Sequence, residues 1–149
     1  MAGIRSTKIG FIFQSFHLIP RLTAFENVEM PMILSGINPT ERKMKVSSAL
    51  EKVGLTDRSD HKPEQLSGGQ RQRVAIARSI VMEPDVLLAD EPTGNLDSTS
   101  GREVLKLIEE LNSSGLTLIV VTHDREMGER SNRLIRLKDG KVITDQSNI

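Results

Sequence analysis

An adjacent pair of carboxylates, Asp90 and Glu91, directly follows the short apolar run Asp85–Ala89, which is typical of a buried strand. At the end of a strand such a pair suits a magnesium–nucleotide site. Asp90 would orient the metal, directly or through water, and Glu91 would polarise the attacking water. Paired acids also cap the turn that follows a strand, and alone they favour neither interpretation.

Two further polar side chains follow apolar runs of the same kind. Gln14 comes after Ile9–Phe13, and His123 lies just beyond Thr117–Val121. Taken singly, Gln14 is most simply a loop residue and His123 a hydrogen-bonded structural histidine. The carboxyl ends of parallel strands share one rim of a sheet, where ligands bind. If the three runs are parallel strands, these two side chains therefore converge with the acid pair.

A serine followed by two glycines marks the start of a predicted helix. Ser67 is a favourable N-cap, and Gln70 completes a capping box three residues later. Gly68 and Gly69 lack side chains, so an anion can approach the backbone N–H groups of the first turn, where the helix dipole is positive. The alternative is an ordinary capped amphipathic helix, because most Ser-Gly-Gly turns bind nothing.

The segment between the first strand and this helix is predicted to be helical from about residue 20 to 65. Thr23 begins a second capping box, and Asn38 precedes a proline at the first position of a third helix. Pro31 is expected to kink or end the helix that starts at Thr23. These helices therefore form an insertion between two strands.

The second half of the chain alternates strands and helices. Ser98 or Ser100 is expected to cap a helix that ends before Gly115, and Asp97 is an alternative cap for it. Residues 134 to 144 are predicted to form a hairpin with a type I′ turn at Asp139-Gly140. The order strand, helices, strand, helix, strand is typical of a parallel sheet with helical crossovers. The sequence thus predicts an α/β fold.

The composition limits the class of protein. The chain has 149 residues, with twenty basic and twenty acidic side chains and no cysteine. Neutral net charge argues against a nucleic-acid partner, and the lack of cysteine excludes disulfides and thiolate metal sites. No apolar run approaches the roughly 18 residues of a membrane span, and no signal-peptide apolar region is seen. We therefore expect one soluble, cytoplasmic domain.

Several stretches, taken in order, resemble the ABC-type ATPases. The resemblance extends from Lys8 to about Val142, and in QSFHLIPRLTAFENVEMP and DEPTGNLDS it is strongest to the branch with lipoprotein-releasing and macrolide-export ATPases. Leu66–Gln70 spells LSGGQ, the signature of the family. Phe13–Ser15 resembles the Q-loop of the family, and Val86–Glu91 resembles its Walker B strand. Asn95–Asp97 resembles its D-loop, and His123 resembles its switch histidine.

The resemblance implies a fold, ligands and site residues. The fold would be a truncated P-loop NTPase core, a RecA-like parallel sheet with an inserted helical subdomain, in which residues 1–19 hold the Q-loop strand, 20–83 the helical subdomain and 84–149 the remaining motifs. The ligands would be ATP and Mg²⁺. The implied site residues are Glu91 and His123 for catalysis, Gln14 and Asp90 for the metal, and Gln14, Leu66, Ser67, Gly68, Gly69, Gln70 and Asp97 for the nucleotide.

One element of the family is missing from the printed sequence. There is no GxxxxGK[ST] phosphate loop, and no Tyr or Trp to stack on adenine. In the family both precede the Q-loop strand, so the chain resembles an ABC ATPase without its N-terminal third, through truncation or a split. We therefore do not expect it to hydrolyse ATP alone. Thr117–Val121 would then have an unpaired edge and exposed apolar side chains, which favour repacking, self-association or marginal stability.

The resemblance also implies partners. Family members form head-to-tail dimers, in which one signature motif faces the phosphate loop of the other subunit. A transmembrane transporter subunit would contact the region between Gln14 and the signature at the inner face of the cell membrane. The predicted function is the ATP-binding subunit of an export or lipoprotein-release-like transporter. The alternatives are a non-catalytic module that docks a membrane subunit, and a DNA-repair-type ATPase, against which the absence of coiled-coil heptads and of a basic stripe argues.

Overall fold

The computed structural model describes residues 8–148. Short 3₁₀ turns at Thr56–Arg58 and Pro63–Gln65 precede the third helix named below. The strands are β1 (Ile9–Ile12), β2 (Val86–Asp90), β3 (Thr117–Val121), β4 (Arg133–Lys138) and β5 (Lys141–Ser147). The α helices are α1 (Ala24–Leu34), α2 (Pro39–Lys52), α3 (Gly68–Ile80), α4 (Ser98–Ser113) and α5 (Arg125–Glu129).

The first three strands form one parallel sheet in the order β1-β2-β3. Val86 in the central strand pairs with Ile9 on one side and with Thr117 on the other. All three strands run in the same direction, so their carboxyl ends form one rim, as the alternation of strands and helices predicted. The α/β prediction is confirmed, and within residues 8–148 β3 has a sheet neighbour on one side only.

Only one face of this sheet is packed against helices. Ile12, Leu87 and Ala89 are at most 1% exposed and belong to the core that includes the apolar faces of α3 and α4. On the opposite face Phe11 is 42% exposed and Val121 54% exposed. The prediction of a buried strand is therefore wrong for β1, because the described elements cover one face of the sheet and leave the other open. In β3 the exposed side chains agree with the exposed apolar residues expected beside its unpaired edge.

Strand β1 and helix α3 approach closely at Gly10. A Cβ atom on Gly10 would overlap the backbone oxygen of Ser79 and lie 3.0 Å from Cδ1 of Leu87. Gly10 is buried, and its lack of a side chain is what allows the helix to lie directly on the strand.

The predicted capping residues begin the helices of the inserted region. Thr23 accepts from the backbone N–H of Glu26, whose carboxylate accepts from the Thr23 N–H, and Asn38 caps α2. Pro31, however, lies inside α1, so the helix does not end there. The buried side chains of Val28 and Met32 flank Pro31, and their packing offsets the hydrogen bond that proline cannot donate.

The cap of α4 is the alternative expected beside the two serines. Asp97, and neither Ser98 nor Ser100, is the N-cap, because its carboxylate accepts from the N–H groups of Thr99 and Ser100. A carboxylate at this position also interacts favourably with the positive end of the helix dipole, which an uncharged serine does not match.

The predicted hairpin is present as β4 and β5. Asp139 and Gly140 have φ values of 49° and 74°, the two positive values that a type I′ turn requires. The strands extend further than predicted, to Arg133 and Ser147. No helix in the described part of the chain is long and apolar enough to cross a lipid bilayer.

Candidate functional site

The rim of the parallel sheet carries the acid pair. Asp90 is the last residue of β2 and is exposed, and Glu91 follows it with a φ of 44°. The Glu91 N–H donates to the backbone oxygen of Val121 at 2.8 Å, which holds this left-handed conformation in place. A residue other than glycine in this conformation carries strain, which is often found at functional sites.

The Glu91 carboxylate is bound by residues at the end of β3. It accepts from the His123 backbone N–H at 2.7 Å and from the Thr122 hydroxyl at 3.0 Å, and one oxygen lies 2.6 Å from His123 Nδ1. Burial alone would raise the pKa of Glu91, but the hydrogen bonds from His123 and Thr122 outweigh it and hold the pKa below its ordinary value. The structure thus brings together the two residues predicted to be catalytic.

Gln14 lies next to the loop that follows Glu91, and its side chain is turned towards Asn95. Its Nε2 donates to Asn95 Oδ1 at 3.3 Å, and Asn95 Nδ2 donates back to the Gln14 backbone oxygen at 3.1 Å. Gly94 permits this contact, since a Cβ there would lie 2.8 Å from Gln14 Cδ. In the described residues Gln14 makes no hydrogen bond with Asp90, the other predicted metal ligand. Its side chain contacts Asn95 instead.

The donor groups on the rim fit one side of a magnesium–nucleotide site. Asp90 offers an exposed carboxylate and Gln14 an amide oxygen, and Mg²⁺ is commonly held by one or two such oxygens together with waters and phosphates. Residues 8–148 contain no group of three or more His, Cys, Asp or Glu side chains that would hold a metal alone. A bound metal would therefore take most of its ligands from the nucleotide and from water.

Helix α3 begins at the predicted capping box. Ser67 Oγ accepts from the Gln70 N–H at 3.2 Å, and Gln70 Oε1 accepts from the Ser67 N–H at 2.9 Å. Ser67 is exposed and Gly68 is half-buried, so the start of this turn is accessible from outside. Leu66, just before the cap, is 7% exposed and anchors this turn in the core.

Gly69 differs from what was expected of it. It is buried, and a Cβ there would lie 3.0 Å from the Ser100 Cβ, at the start of α4. At Gly68 a Cβ would lie an ordinary 3.4 Å from the Leu96 side chain. The absent side chain of Gly69 therefore serves the contact between two helix starts, whereas the half-buried Gly68 leaves its turn partly open to solvent.

The predicted nucleotide contact Asp97 is the N-cap that lies beside this contact. Hydrogen bonding to Ser100, and then to Thr99, lowers the pKa of Asp97, so its carboxylate stays charged while it caps α4. The starts of α3 and α4, with the residues that precede them, therefore form one continuous surface, hereafter the twin-helix surface: Ser67, Gly68, Gly69, Leu96, Asp97 and Ser100.

Replacing each of the two glycines of this surface with alanine is expected to have a different effect on the free energy of unfolding. We expect Gly69→Ala to lower the free energy of unfolding by about 1–3 kcal/mol, because the new methyl group crowds Ser100. Gly68→Ala is the matched control and is expected to be neutral or to add up to about 1 kcal/mol, as alanine favours the helix. Urea denaturation of both variants measures the difference, and equal effects would contradict the assigned contact.

Some residues around the site were not identified in the sequence. Arg78 donates to the backbone oxygens of Phe16 and His17, so α3 also holds the loop after β1. Gln72 is fully buried and donates to two backbone oxygens at strand ends. Gln72 falls on the stripe of α3 that contains Ile76, and a polar side chain in an apolar stripe is the signal that would have revealed it.

The comparisons with known proteins identify the family of the chain. The family model described as ABC transporter matches residues 2–94, and the chain belongs to this family. An ABC transporter ATP-binding protein of Thermotoga maritima is 54% identical over 142 residues, which are 95% of this chain and 61% of the relative. The protein YvrO of Bacillus subtilis, also described as an ABC transporter ATP-binding protein, is 50% identical over 98% of this chain and 64% of its own length.

Export proteins and solved structures are also similar to the chain. The macrolide export ATP-binding/permease protein MacB of Rhodopseudomonas palustris is 50% identical over 99% of this chain and 22% of its own length. The ATP-binding cassette MJ0796, solved as a dimer in a post-hydrolysis state bound to ADP and Pi, superposes with a TM-score of 0.83. Its sequence is 45% identical, and the match covers 98% of this chain and 65% of that one. The fold is therefore that of an ABC ATPase cassette, and the family binds nucleotides. The chain spans about three fifths of the length of the curated relatives named first.

Proposed function

We propose that this chain acts as the signature-bearing side of a composite ATPase site in an ABC transporter. The observation that carries the proposal is the twin-helix surface, in which the capped start of α3 lies against the start of α4. The start of α3 offers backbone N–H groups and a positive dipole end, which suits the phosphates of a nucleotide. The dimeric state of the solved cassette supports a second ATPase domain as the partner.

Residues of the twin-helix surface and the two that flank its first turn have distinct tasks in this proposal. The Ser67 hydroxyl and the Gly68 N–H would donate to the terminal phosphate of ATP held by the partner domain. Leu66 and Gln70 would fix that turn from its two ends, and Asp97 would approach the partner from the start of α4. Gly69 would act by keeping the two helix starts in contact.

The carboxyl-end rim of the sheet, which carries Asp90 and Glu91, would serve a nucleotide of the same chain. Glu91 would act as the base towards the attacking water, and His123, in contact with Glu91, would orient it. Asp90 and Gln14 would hold Mg²⁺, which neutralises charge between the outer phosphates when it is bound. This rim offers no amide nest and no lysine for the β- and γ-phosphates in the described residues.

For that reason we expect a polypeptide of these 149 residues to bind Mg-ATP weakly. The predicted dissociation constant is about 1 mM or higher, a binding free energy near −4 kcal/mol or weaker, because the phosphate loop supplies most of the binding energy. Isothermal titration calorimetry measures this constant. A micromolar value would show that the residues present suffice to hold the nucleotide.

The composite site is tested with a disabled partner. An intact ABC ATPase domain, whose own signature serine is replaced by arginine, keeps its phosphate loop and glutamate but cannot complete a site with a second copy. We expect that adding this chain raises its ATPase rate at least about tenfold, since the chain supplies the missing surface. The absence of any rise at a saturating concentration of the chain would contradict the proposed function.

The same mixture separates the role of the twin-helix surface from that of the sheet rim that carries Glu91. In it the partner's glutamate is the base for the partner's nucleotide, so Glu91→Gln is expected to leave the rate unchanged within about twofold. The ATPase rate of the mixture is the measurement. Loss of turnover on Glu91→Gln alone would show that the roles of the twin-helix surface and of the rim with Glu91 have been exchanged.

The helical region offers a surface for the transmembrane transporter subunit that we propose as a further partner. Leu34 at the end of α1 is 80% exposed and Met44 on α2 is 69% exposed, with Ile33 at 44%. Exposed large apolar side chains in one region favour contact with another protein. Such a partner would place the chain at the inner face of the cell membrane.

A further inference from the structure

The two polar side chains identified as buried in residues 8–148 are Gln72 and Asn27. Gln72 lies in the second turn of α3 and exposes none of its surface. Its Nε2 donates to the backbone oxygen of Phe13 at 3.2 Å and to that of Pro92 at 2.6 Å. Its Oε1 is also buried and has no partner among the described residues. A single amide group thus joins three elements of the fold.

This arrangement is unfavourable for folding alone. A buried acceptor without a donor costs about 1–3 kcal/mol, which an apolar side chain of similar size would avoid. Asn27, by comparison, uses its amide fully: Nδ2 donates to three backbone oxygens and Oδ1 accepts from the Ile19 N–H. The two hydrogen bonds of Gln72 therefore call for a reason other than a satisfied core.

The two oxygens that Gln72 binds belong to the loops that carry site residues. Phe13 directly precedes Gln14, and Pro92 begins the turn that leads from Glu91 to the start of α4. Gln14 is in turn paired with Asn95 in that turn. The loops after β1 and β2 are therefore joined to each other and, through Gln72, to α3.

The first turn of α3 contacts the same loop from the other side. Gly68 lies against the Leu96 side chain and Gly69 against Ser100. Helix α3 is rigid between its first turn and Gln72, so the position of Gln72 relative to Pro92 determines where Ser67 stands relative to the D-loop, Asn95–Asp97.

We propose that Gln72 is a positioning residue that holds the signature motif and the D-loop in the relative placement in which both reach the partner's nucleotide. The inference rests on the proposed function, because it concerns turnover at the same composite site. Gln72 touches neither the nucleotide nor the partner. It acts through Pro92 and through the helix that begins at Ser67.

The experiment uses the mixture with the disabled partner domain and two apolar replacements of similar shape. Gln72→Met removes both hydrogen bonds, and Asn27→Leu is the matched control at the other buried amide. Both variants are expected to lose stability, because the backbone oxygens that each amide satisfies are left without donors. The maximal turnover per folded chain, at saturating chain, is expected to fall at least tenfold for Gln72→Met and to stay within twofold for Asn27→Leu. Unchanged turnover per folded Gln72→Met chain would overturn the inference.

Rescue and hydrogen exchange complete the test. Gln72→His keeps one N–H donor and is expected to give intermediate turnover, whereas turnover as low as that of Gln72→Met would count against the hydrogen bonds. Amide exchange of the chain alone is expected to be at least tenfold faster at Gly94 and Leu96 in Gln72→Met, but not in Asn27→Leu. Equal amide exchange in the two variants overturns the inference, whether or not the unmodified chain supports turnover. Absence of turnover with the unmodified chain contradicts only the proposed function.

Discussion

Replacing Ser67 with arginine is expected to lower the turnover of the composite site at least about 100-fold. Ser67 stands exposed at the start of α3, where its hydroxyl and the neighbouring N–H groups face the partner's nucleotide in the proposed arrangement. Loss of one preorganised donor typically costs about 10²–10³ in rate. The arginine side chain also fills the space that a phosphate would occupy. The steady-state ATPase rate of the mixture with the disabled partner measures the effect.

The control must lose the same helix cap without touching the site. Thr23 is the N-cap of α1 and has the same reciprocal capping box as Ser67. Either substitution is expected to cost about 1 kcal/mol of stability through the lost cap. Thr23→Arg should therefore match Ser67→Arg in a thermal melt while leaving turnover per folded chain unchanged. Equal losses of turnover would show that the cap itself, and not a contact of Ser67, is what the rate depends on.

Replacing Gly10 with alanine is expected to destabilise the chain by about 3 kcal/mol, the upper end of the range for an overpacked core. The methyl group would overlap the Ser79 backbone oxygen, which belongs to a helix and cannot turn away as a side chain can. Either β1 leaves its pairing with β2 or α3 moves off the sheet. Stabilities of domains are about 5–15 kcal/mol, so this is a large share of the total. The midpoint of urea denaturation, at constant slope, reports it.

Phe11→Ala is the matched control for this prediction. Phe11 is next to Gly10 in the same strand, but its side chain is 42% exposed on the open face and stacks on Phe13 at a centroid distance of 6.1 Å. Its loss is expected to cost about 1 kcal/mol or less, as for other aromatic pairs at a surface. A larger loss from Phe11 than from Gly10 would mean that the open face, and not the contact with α3, holds β1 in place.

The features that depend on local chemistry could be predicted from the sequence. The capping boxes at Thr23 and Ser67 and the turn at Asp139-Gly140 each depend on residues within four positions of one another, and all three were predicted. The shared rim of the strands followed from the handedness and direction of crossovers. The contact between Glu91 and His123 follows once that rim is accepted.

What the sequence did not reveal depends on contacts between distant segments. Gly69 is buried because α4 arrives beside it, and nothing within the motif indicates that neighbour. Pro31 stays within a helix because buried side chains on either side of it hold the helix to the core, whereas its local preference is to end one. The exposed face of β1 could not be predicted, because a short apolar run has the same composition whether one or both of its faces are covered.

The register of the sheet has a consequence for the order in which the chain folds. Ile9 pairs with Val86, across the whole helical region, whereas Val86 pairs with Thr117 across a single helix. Closing the longer loop costs more chain entropy, and non-local pairings form slowly. Helices α1, α2 and α3 contact one another over shorter separations, so we expect them and the β2–β3 pair to form before β1 joins. The transition state for folding then already contains the capped start of α3, and mutations in β1 chiefly accelerate unfolding.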